Sequence, residues 1–228
     1  HKPKMRLIRS KTGPGGHDAI YQDLPFTFGY PRQPIALKHR RRWICPVSEV
    51  TNSLDSAFAS YRAVTLLSDD DGRTWSERFH IDTAWGPHAE ASAPLTLLRD
   101  GSWATPITGF PTWEGNMTAR RCGRLLRSFD QGRTWSDDVV CMAFPGDTVT
   151  CYEQRMCQLD DGMIVVIGWN EDVRTGERFN NHYTISADNG RSFSEPRDTG
   201  IRDTDPRDLG EGRDGDDGTG PGERIDLD

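Results

Sequence analysis

One eight-residue pattern, S-x-D-x-G-x-[TS]-[WF], occurs three times and constrains the fold more than any other feature of the chain. It reads SDDDGRTW from Ser68 to Trp75, SFDQGRTW from Ser128 to Trp135 and SADNGRSF from Ser186 to Phe193. The copies start 60 and 58 residues apart. A period of this length marks a repeat architecture, in which each unit buries its apolar face against its neighbours. A second marker keeps the same beat. Leu37, Leu98 and Leu159 are spaced by 61 residues, in PIALKHRRRWICPV, PLTLLRDGSWATPI and CQLDDGMIVVIGW. The last two carry Asp100-Gly101 and Asp161-Gly162, and Asp-Gly between apolar alternating runs signals a β-hairpin. In the first copy the solvated KHRRR serves as the tip.

Each unit therefore reads as a hairpin, a third strand, the Asp-containing turn and a short outer strand. MIVVIGW and WICPV are rich in strand formers, and no segment carries a helical stripe. Four strands in such a period fit one β-propeller blade. The expectation is an all-β chain with three four-stranded antiparallel blades at about residues 20–80, 81–140 and 141–202. In each turn the Ser and Asp (Ser68 and Asp70, Ser128 and Asp130, Ser186 and Asp188) accept hydrogen bonds from nearby N–H groups. Gly72, Gly132 and Gly190 permit a left-handed backbone. Trp75, Trp135 and Phe193 anchor the turns in the core. These carboxylates read as structural, not as an acid/base pair.

Composition bounds the rest. The formal net charge is −7, which argues against nucleic-acid binding by bulk electrostatics. No apolar run is long enough for a membrane-spanning helix. No secretory leader is visible, and because the chain starts at His1 a removed leader stays open, so the compartment is undecided. The five cysteines form no CxxC pair, so neither a zinc site nor another metal or cofactor is expected. Cys151 and Cys157 read as small apolar filler flanking a strand. From Asp203 to Asp228 the sequence is dominated by Asp, Gly and Arg, an acidic Gly-rich tail expected to be disordered. The repeat stops mid-period after PRDTGI. That fits either a true linker or a truncated or frame-shifted reading of a longer gene. Three blades do not close a ring, so two exposed blade faces are expected to favour self-association.

Three turns in register with a second marker resemble the sialidase (neuraminidase) superfamily of six-bladed, Asp-box propellers, over roughly residues 20–202. The resemblance implies a partial six-bladed β-propeller. It also implies a glycoside hydrolase of the exo-α-sialidase type, or a fragment of one, acting on terminal sugars of glycans. The alternative is a non-catalytic propeller module that binds carbohydrate or protein. PRQP aligns Arg32 with the family's Arg-Ile-Pro motif, with Gln33 in place of Ile. That Arg would grip a substrate carboxylate as a planar fork; it also reads as an exposed Arg at a proline-rich strand start. In SEVTNSLDSAFASYRA, Asp55 would be the acid/base, or an ordinary loop Asp. YEQRMCQLDDG matches the family pattern of Glu, Leu six residues on, then Asp-Gly. Glu153 would then start an inner strand and polarise a tyrosine nucleophile.

There are also departures. The family's second carboxylate-binding Arg falls where Gly168 and Trp169 stand, and the next Arg is Arg174. The third Arg and the tyrosine nucleophile belong to later blades, which this chain does not contain. Tyr152 adjoins Glu153, but strand neighbours point to opposite faces. His88 and Glu90, Trp113 and Glu114, and Asn170, Glu171 and Asp172 lie in polar stretches that would suit the mouth of a sugar site or a solvated loop. Asn116 opens a glycosylation sequon.

Overall fold

The computed structural model describes residues 6–9, 20–23, 29–31, 35–37, 42–51, 60–76, 78–81, 89–91, 93–109 and 120–202. Arg32, Asp55, His88, Trp113, Glu114, Asn116 and the tail 203–228 lie outside them. Strands β1 (Arg6–Arg9) and β2 (Ile20–Asp23) pair as an antiparallel ribbon. Three antiparallel sheets follow in chain order. Sheet 1 holds β3 (Gly29–Pro31), β4 (Ile35–Leu37), β5 (Arg42–Thr51), β6 (Ser60–Ser68) and β7 (Phe79–His80). Sheet 2 holds β8 (Ala89–Glu90), β9 (Thr96–Leu97), β10 (Trp103–Gly109), β11 (Cys122–Ser128) and β12 (Ser136–Ala143). After a 3-10 turn at Pro145–Asp147, sheet 3 holds β13 (Val149–Gln158), β14 (Ile164–Asp172), β15 (Glu177–Arg178), β16 (His182–Ser186) and β17 (Arg197–Asp198).

The sheets share one register. Trp43, Trp103 and Ile164 pair with the turn serines Ser68, Ser128 and Ser186. Sheets 1 and 2 each interrupt their first strand at a similar level. β3 and β4 both pair with β5, and β8 and β9 both pair with β10. In sheet 3 the first strand stays continuous and bulges between Tyr152 and Arg155.

The three turns are built alike. Ser128 Oγ accepts from the Gly132 N–H at 2.7 Å and donates to Asp130 Oδ1 at 2.9 Å. Asp130 also accepts from the N–H groups of Arg133 and Thr134, at 3.0 and 2.8 Å, and from the Thr134 hydroxyl at 2.6 Å. Ser68 with Asp70, and Ser186 with Asp188, make the same set. Gly132 has φ 87° and follows Gln131 at φ 64°, a left-handed pair that turns the chain back.

These bonds favour the charged carboxylate. The Thr74 hydroxyl holds Asp70 below the usual range, and the Ser192 hydroxyl does the same for Asp188. At Asp130 partial burial pulls upward, and the Thr134 hydroxyl and N–H outweigh it. A folded pKa below the unfolded value of about 3.9 gives stability that is present above that pH and lost as pH falls toward the folded pKa. The melting temperature should therefore hold from neutrality to about pH 4 and fall below it, and less steeply in Asp130→Asn. Thermal melts from pH 6 to 2.5 that show no decline would refute this reading.

The second and third turns also seat their sheets on the preceding ones. A Cβ at Gly132 would meet Ile44, Leu67 and Thr65 of sheet 1, and the Thr65 hydroxyl donates to Gly132 O at 2.6 Å. Gly190 sits closer still, since a Cβ there would stand 2.8 Å from both Leu125 and Arg127 of sheet 2. The residue before each glycine reaches back as well. Gln131 accepts from Arg42, and Asn189 donates to Asp100 at 2.6 Å. Farther along, the Ser48 hydroxyl donates to Ala91 O at 3.0 Å and the Thr108 hydroxyl to Cys151 O at 2.6 Å.

Apolar clusters fill the two seams. Ile44 and Leu67 meet Leu95 and Trp103 between sheets 1 and 2. Leu98, Ala104 and Leu125 meet Cys141, Met142, Cys151, Ile164 and Val166 between sheets 2 and 3. Trp75, Trp135 and Phe193, the turn aromatics, pack against these and adjoining clusters. Burial pushes the Cys45 and Cys151 thiols up to about 12, so both stay protonated and act as apolar filler. Cys157 differs from expectation. It is exposed, and both it and Cys151 lie inside β13 rather than at its ends.

Candidate functional site

The bulge in β13 carries the one sequence-predicted catalytic candidate that falls among the described residues. Tyr152 pairs with Trp169 and Arg155 with Ile167, which leaves Glu153 and Gln154 opposite Gly168 alone. Two residues against one is a β-bulge, a device that re-aims a side chain and recurs beside active sites. The two residues divide the work. Gln154 turns inward and is fully buried, with its amide N–H on the Thr108 hydroxyl at 2.9 Å and the Cys141 thiol on its Oε1 at 3.3 Å. Glu153 has φ 42° and is exposed. A glutamate in the left-handed region is strained, and such strain persists only where the surroundings impose it. The Arg155 guanidinium braces the bend, donating to the carbonyls of Glu153 and Gln154 at 3.1 and 3.2 Å.

The sequence places Glu153 at the start of a strand. The structure places it fifth in β13, because pairing begins at Val149 opposite Asp172. The bulge also changes the expected alternation. Tyr152 and Arg155 share a face although three positions separate them, since the extra residue resets the period.

Glu153, Arg155, Ile167, Gly168, Trp169 and Asn181 line an open hollow of about 210 Å³. That is below the 300–1,000 Å³ of pockets that enclose a whole ligand. Trp169 is not a free stacking platform. Tyr152 stacks on it with ring centroids 4.3 Å apart and planes 22° apart, and the Arg178 guanidinium lies 5.4 Å from its ring centre. Gly168 is tightly packed: a Cβ there would stand 3.0 Å from Tyr152 O and 3.1 Å from Gln154 Cγ, so a side chain fits only if the bulge gives way by a few tenths of an ångström. The bulge thus makes position 168 tight for any side chain, arginine included.

Asn170, Glu171 and Asp172 are not in a loop, as their polarity suggests, but close β14. Asn170 and Asp172 point inward and are buried. Asn170 donates to Gly168 O at 3.1 Å. Asp172 accepts from the Arg174 N–H at 2.8 Å and the Thr148 hydroxyl at 3.0 Å, which caps the following turn. Glu171 pairs with Arg178 at 3.5 Å, and Glu90 is buried in β8. Arg174 is exposed on the turn that follows β14. Reading by motif missed Gln154, Arg155 and Asn181. Three consecutive polar residues inside a strand, Glu153-Gln154-Arg155, were the available sign of a break in the alternation.

The comparisons with solved structures bear on the architecture. An α-L-arabinanase from Penicillium chrysogenum, complexed with arabinobiose, superposes at a TM-score of 0.58 over 84% of this chain, at 17% identity. A NanB sialidase variant from Streptococcus pneumoniae does so at 0.51 over 83%, at 20% identity. The fold is like that of sialidases and arabinanases. A Dyadobacter fermentans protein described as of unknown function matches at 0.66 over 87% of this chain, at 16% identity. At these identities the sialidase-like likeness is one of fold. The chain spans 59% of the Dyadobacter protein, 57% of the arabinanase and 27% of the sialidase. No family model matches the sequence, and no curated protein matches it. In this sialidase-like frame Glu153 is the described acidic residue that combines an imposed backbone strain with an open hollow. Among the described residues, no helix is long and apolar enough to cross a membrane.

Proposed function

We propose that this chain is part of a sialidase-like glycoside hydrolase that acts on terminal sugars of glycans. On this reading residues 20–80, 81–140 and 141–202 are three blades of a six-bladed propeller, and the S-x-D-x-G turns are its Asp-boxes. Glu153 is the carboxylate that polarises a nucleophile, Asp55 the acid/base and Arg32 the grip on an acidic substrate group. The observation that carries the reading is the left-handed bulge that turns Glu153 out into the hollow while Gln154 and Arg155 hold the backbone. Strain of this kind is retained where a side chain must be aimed. Carbohydrate is the substrate class of the sialidase and arabinanase that share the fold. Position 168 supplies no guanidinium to the hollow, and the Arg155 guanidinium there is turned to the Glu153 and Gln154 carbonyls, so the grip on a substrate carboxylate is assigned to Arg32.

The test is a panel of fluorogenic glycosides, with a sialoside and an arabinofuranoside as its two arms, assayed on the chain and on Glu153→Gln. Turnover of either arm that falls at least tenfold in kcat/KM, about 1.4 kcal/mol of transition-state stabilisation, supports the assignment. Turnover unchanged by Glu153→Gln removes Glu153 from it. Retention on a glycan array without turnover of either arm replaces hydrolysis by binding.

A further inference from the structure

One hydroxyl in the closed seam between sheets 2 and 3 touches β13 on both sides of Glu153. Thr108, near the end of β10, pairs with Gly123 of β11 and Glu90 of β8. Its Oγ1 donates to Cys151 O at 2.6 Å and accepts from the Gln154 amide at 2.9 Å. A threonine hydroxyl has one proton to give and lone pairs to receive, so both bonds form at once. Gln154 has little freedom to leave. The Cys141 thiol donates to its Oε1 at 3.3 Å, and its amide fills the space that a Cβ on Gly123 would take. Thr108, Cys141, Cys151 and Gln154 are all buried, where an unpaired polar group is costly. Sheet 1 offers an internal comparison. Ser48 follows Trp43 by the same number of residues as Thr108 follows Trp103, the tryptophans opposite the turn serines. Ser48 donates to Ala91 O at 3.0 Å, just past the end of β8. In both seams a hydroxyl of the preceding sheet holds a carbonyl beside which the next first strand leaves regular pairing. Sheet 2 continues with Ala93 and Pro94 and breaks before β9. Sheet 3 continues with Glu153 and Gln154, whose amide returns to the hydroxyl, and the strand bulges without breaking.

We propose that Thr108 is a positioning residue for Glu153: from the neighbouring sheet its hydroxyl clamps Cys151 and Gln154, and so fixes where along β13 the extra residue stands. The Arg155 brace cannot do this. It comes from β13 itself and would travel with the strand, whereas Thr108 is anchored in sheet 2 by its pairing with Gly123. A slip of one residue turns side chains to the opposite face of a sheet. The clamp therefore decides that Gln154 turns inward and that Glu153 takes the left-handed, exposed position. The proposal rests on the reading of Glu153 as a working carboxylate, and Thr108 acts on it through the backbone alone.

The experiment compares three variants of the full chain. Thr108→Val removes the hydroxyl at nearly constant volume, Thr108→Ser keeps it, and Ser48→Ala removes the matching hydroxyl of sheet 1. The first readout is the one-bond Cα–Hα coupling of Glu153 in protein carrying isotope-labelled glutamate, which separates positive from negative φ. Wild type, Thr108→Ser and Ser48→Ala are expected to report positive φ, and Thr108→Val to lose that signature. The second readout is turnover of whichever fluorogenic arm, sialoside or arabinofuranoside, the chain accepts. In Thr108→Val kcat is expected to fall roughly tenfold with KM within about twofold, and Thr108→Ser to restore it. If Thr108→Val does not fold, as circular dichroism will show, Gln154→Met removes the other half of the clamp and takes its place. A folded variant that keeps the wild-type coupling at Glu153, or a Ser48→Ala that loses it equally, overturns the proposal. So does a lost coupling with kcat unchanged where Glu153→Gln abolishes turnover. Turnover unaffected by Glu153→Gln, or absent from both arms, overturns the catalytic reading of Glu153 instead, and the coupling still decides whether Thr108 sets its conformation.

Discussion

Replacing Trp103 by alanine is expected to destabilise the protein by about 3–5 kcal/mol, the range for emptying a buried aromatic site. Trp103 is 1% exposed and is the largest fully buried side chain among the described residues. Its ring fills the seam where Ile44 and Leu67 of sheet 1 meet Leu95 of sheet 2. Three different chain segments line the void it would leave. The backbone of residue 103 is held by its pairing with Leu97 on one side and Ser128 on the other, so it cannot itself move in to fill that void. For a domain of this size the loss corresponds to a drop of roughly 10–15 °C in melting temperature. Leu97, one strand away but 48% exposed, provides the control. Leu97→Ala should stay within about 0.5 kcal/mol. Equal effects from the two substitutions would mean that the seam is not where cohesion resides.

Gly123→Ala should be nearly as severe, for the opposite reason. A Cβ at that position would stand 2.0 Å from Oε1 of Gln154 and 2.6 Å from its Cδ. The tip of a glutamine often swings aside, but this one is fully buried and held by the Thr108 hydroxyl and the Cys141 thiol. Moving it strands a buried amide, at about 1–3 kcal/mol, on top of about 1–3 kcal/mol for overpacking. We expect a loss near 4 kcal/mol in chemical denaturation. The diagnostic is the double substitution. With Gln154→Ala the clash disappears, so Gly123→Ala should cost far less in that background, a coupling of about 1–3 kcal/mol. Strict additivity would show that the two sites do not share the space the geometry gives them.

The turns were legible because their bonding is local. Ser128 and Asp130 find their partners within four residues, so eight letters suffice to specify the geometry. The hairpins were legible for the same reason, as the Leu98 and Leu159 N–H groups bond across tight turns to Ser102 and Met163. The end of β14 was not. NED reads as loop because its polarity suggests solvent, yet Asn170 and Asp172 turn inward to backbone partners that composition does not reveal. The placement of Glu153 failed in a similar way. Its motif was recognised, but a bulge is a relation between two strands, and no spacing within β13 states that Gly168 stands opposite two residues. The motif could name the carboxylate and its distance to the hairpin. It could not supply the left-handed backbone that aims it.

Gly168 also limits how this lineage could change. A single codon change from glycine to a long cationic residue would drive a side chain into the Tyr152 carbonyl and the Gln154 stem. Accommodating any side chain at 168 requires the opposing bulge to yield by a few tenths of an ångström, and that bulge is what holds Glu153 in its left-handed conformation. The two positions are therefore epistatic. The effect of a substitution at one of them should depend on what stands at the other.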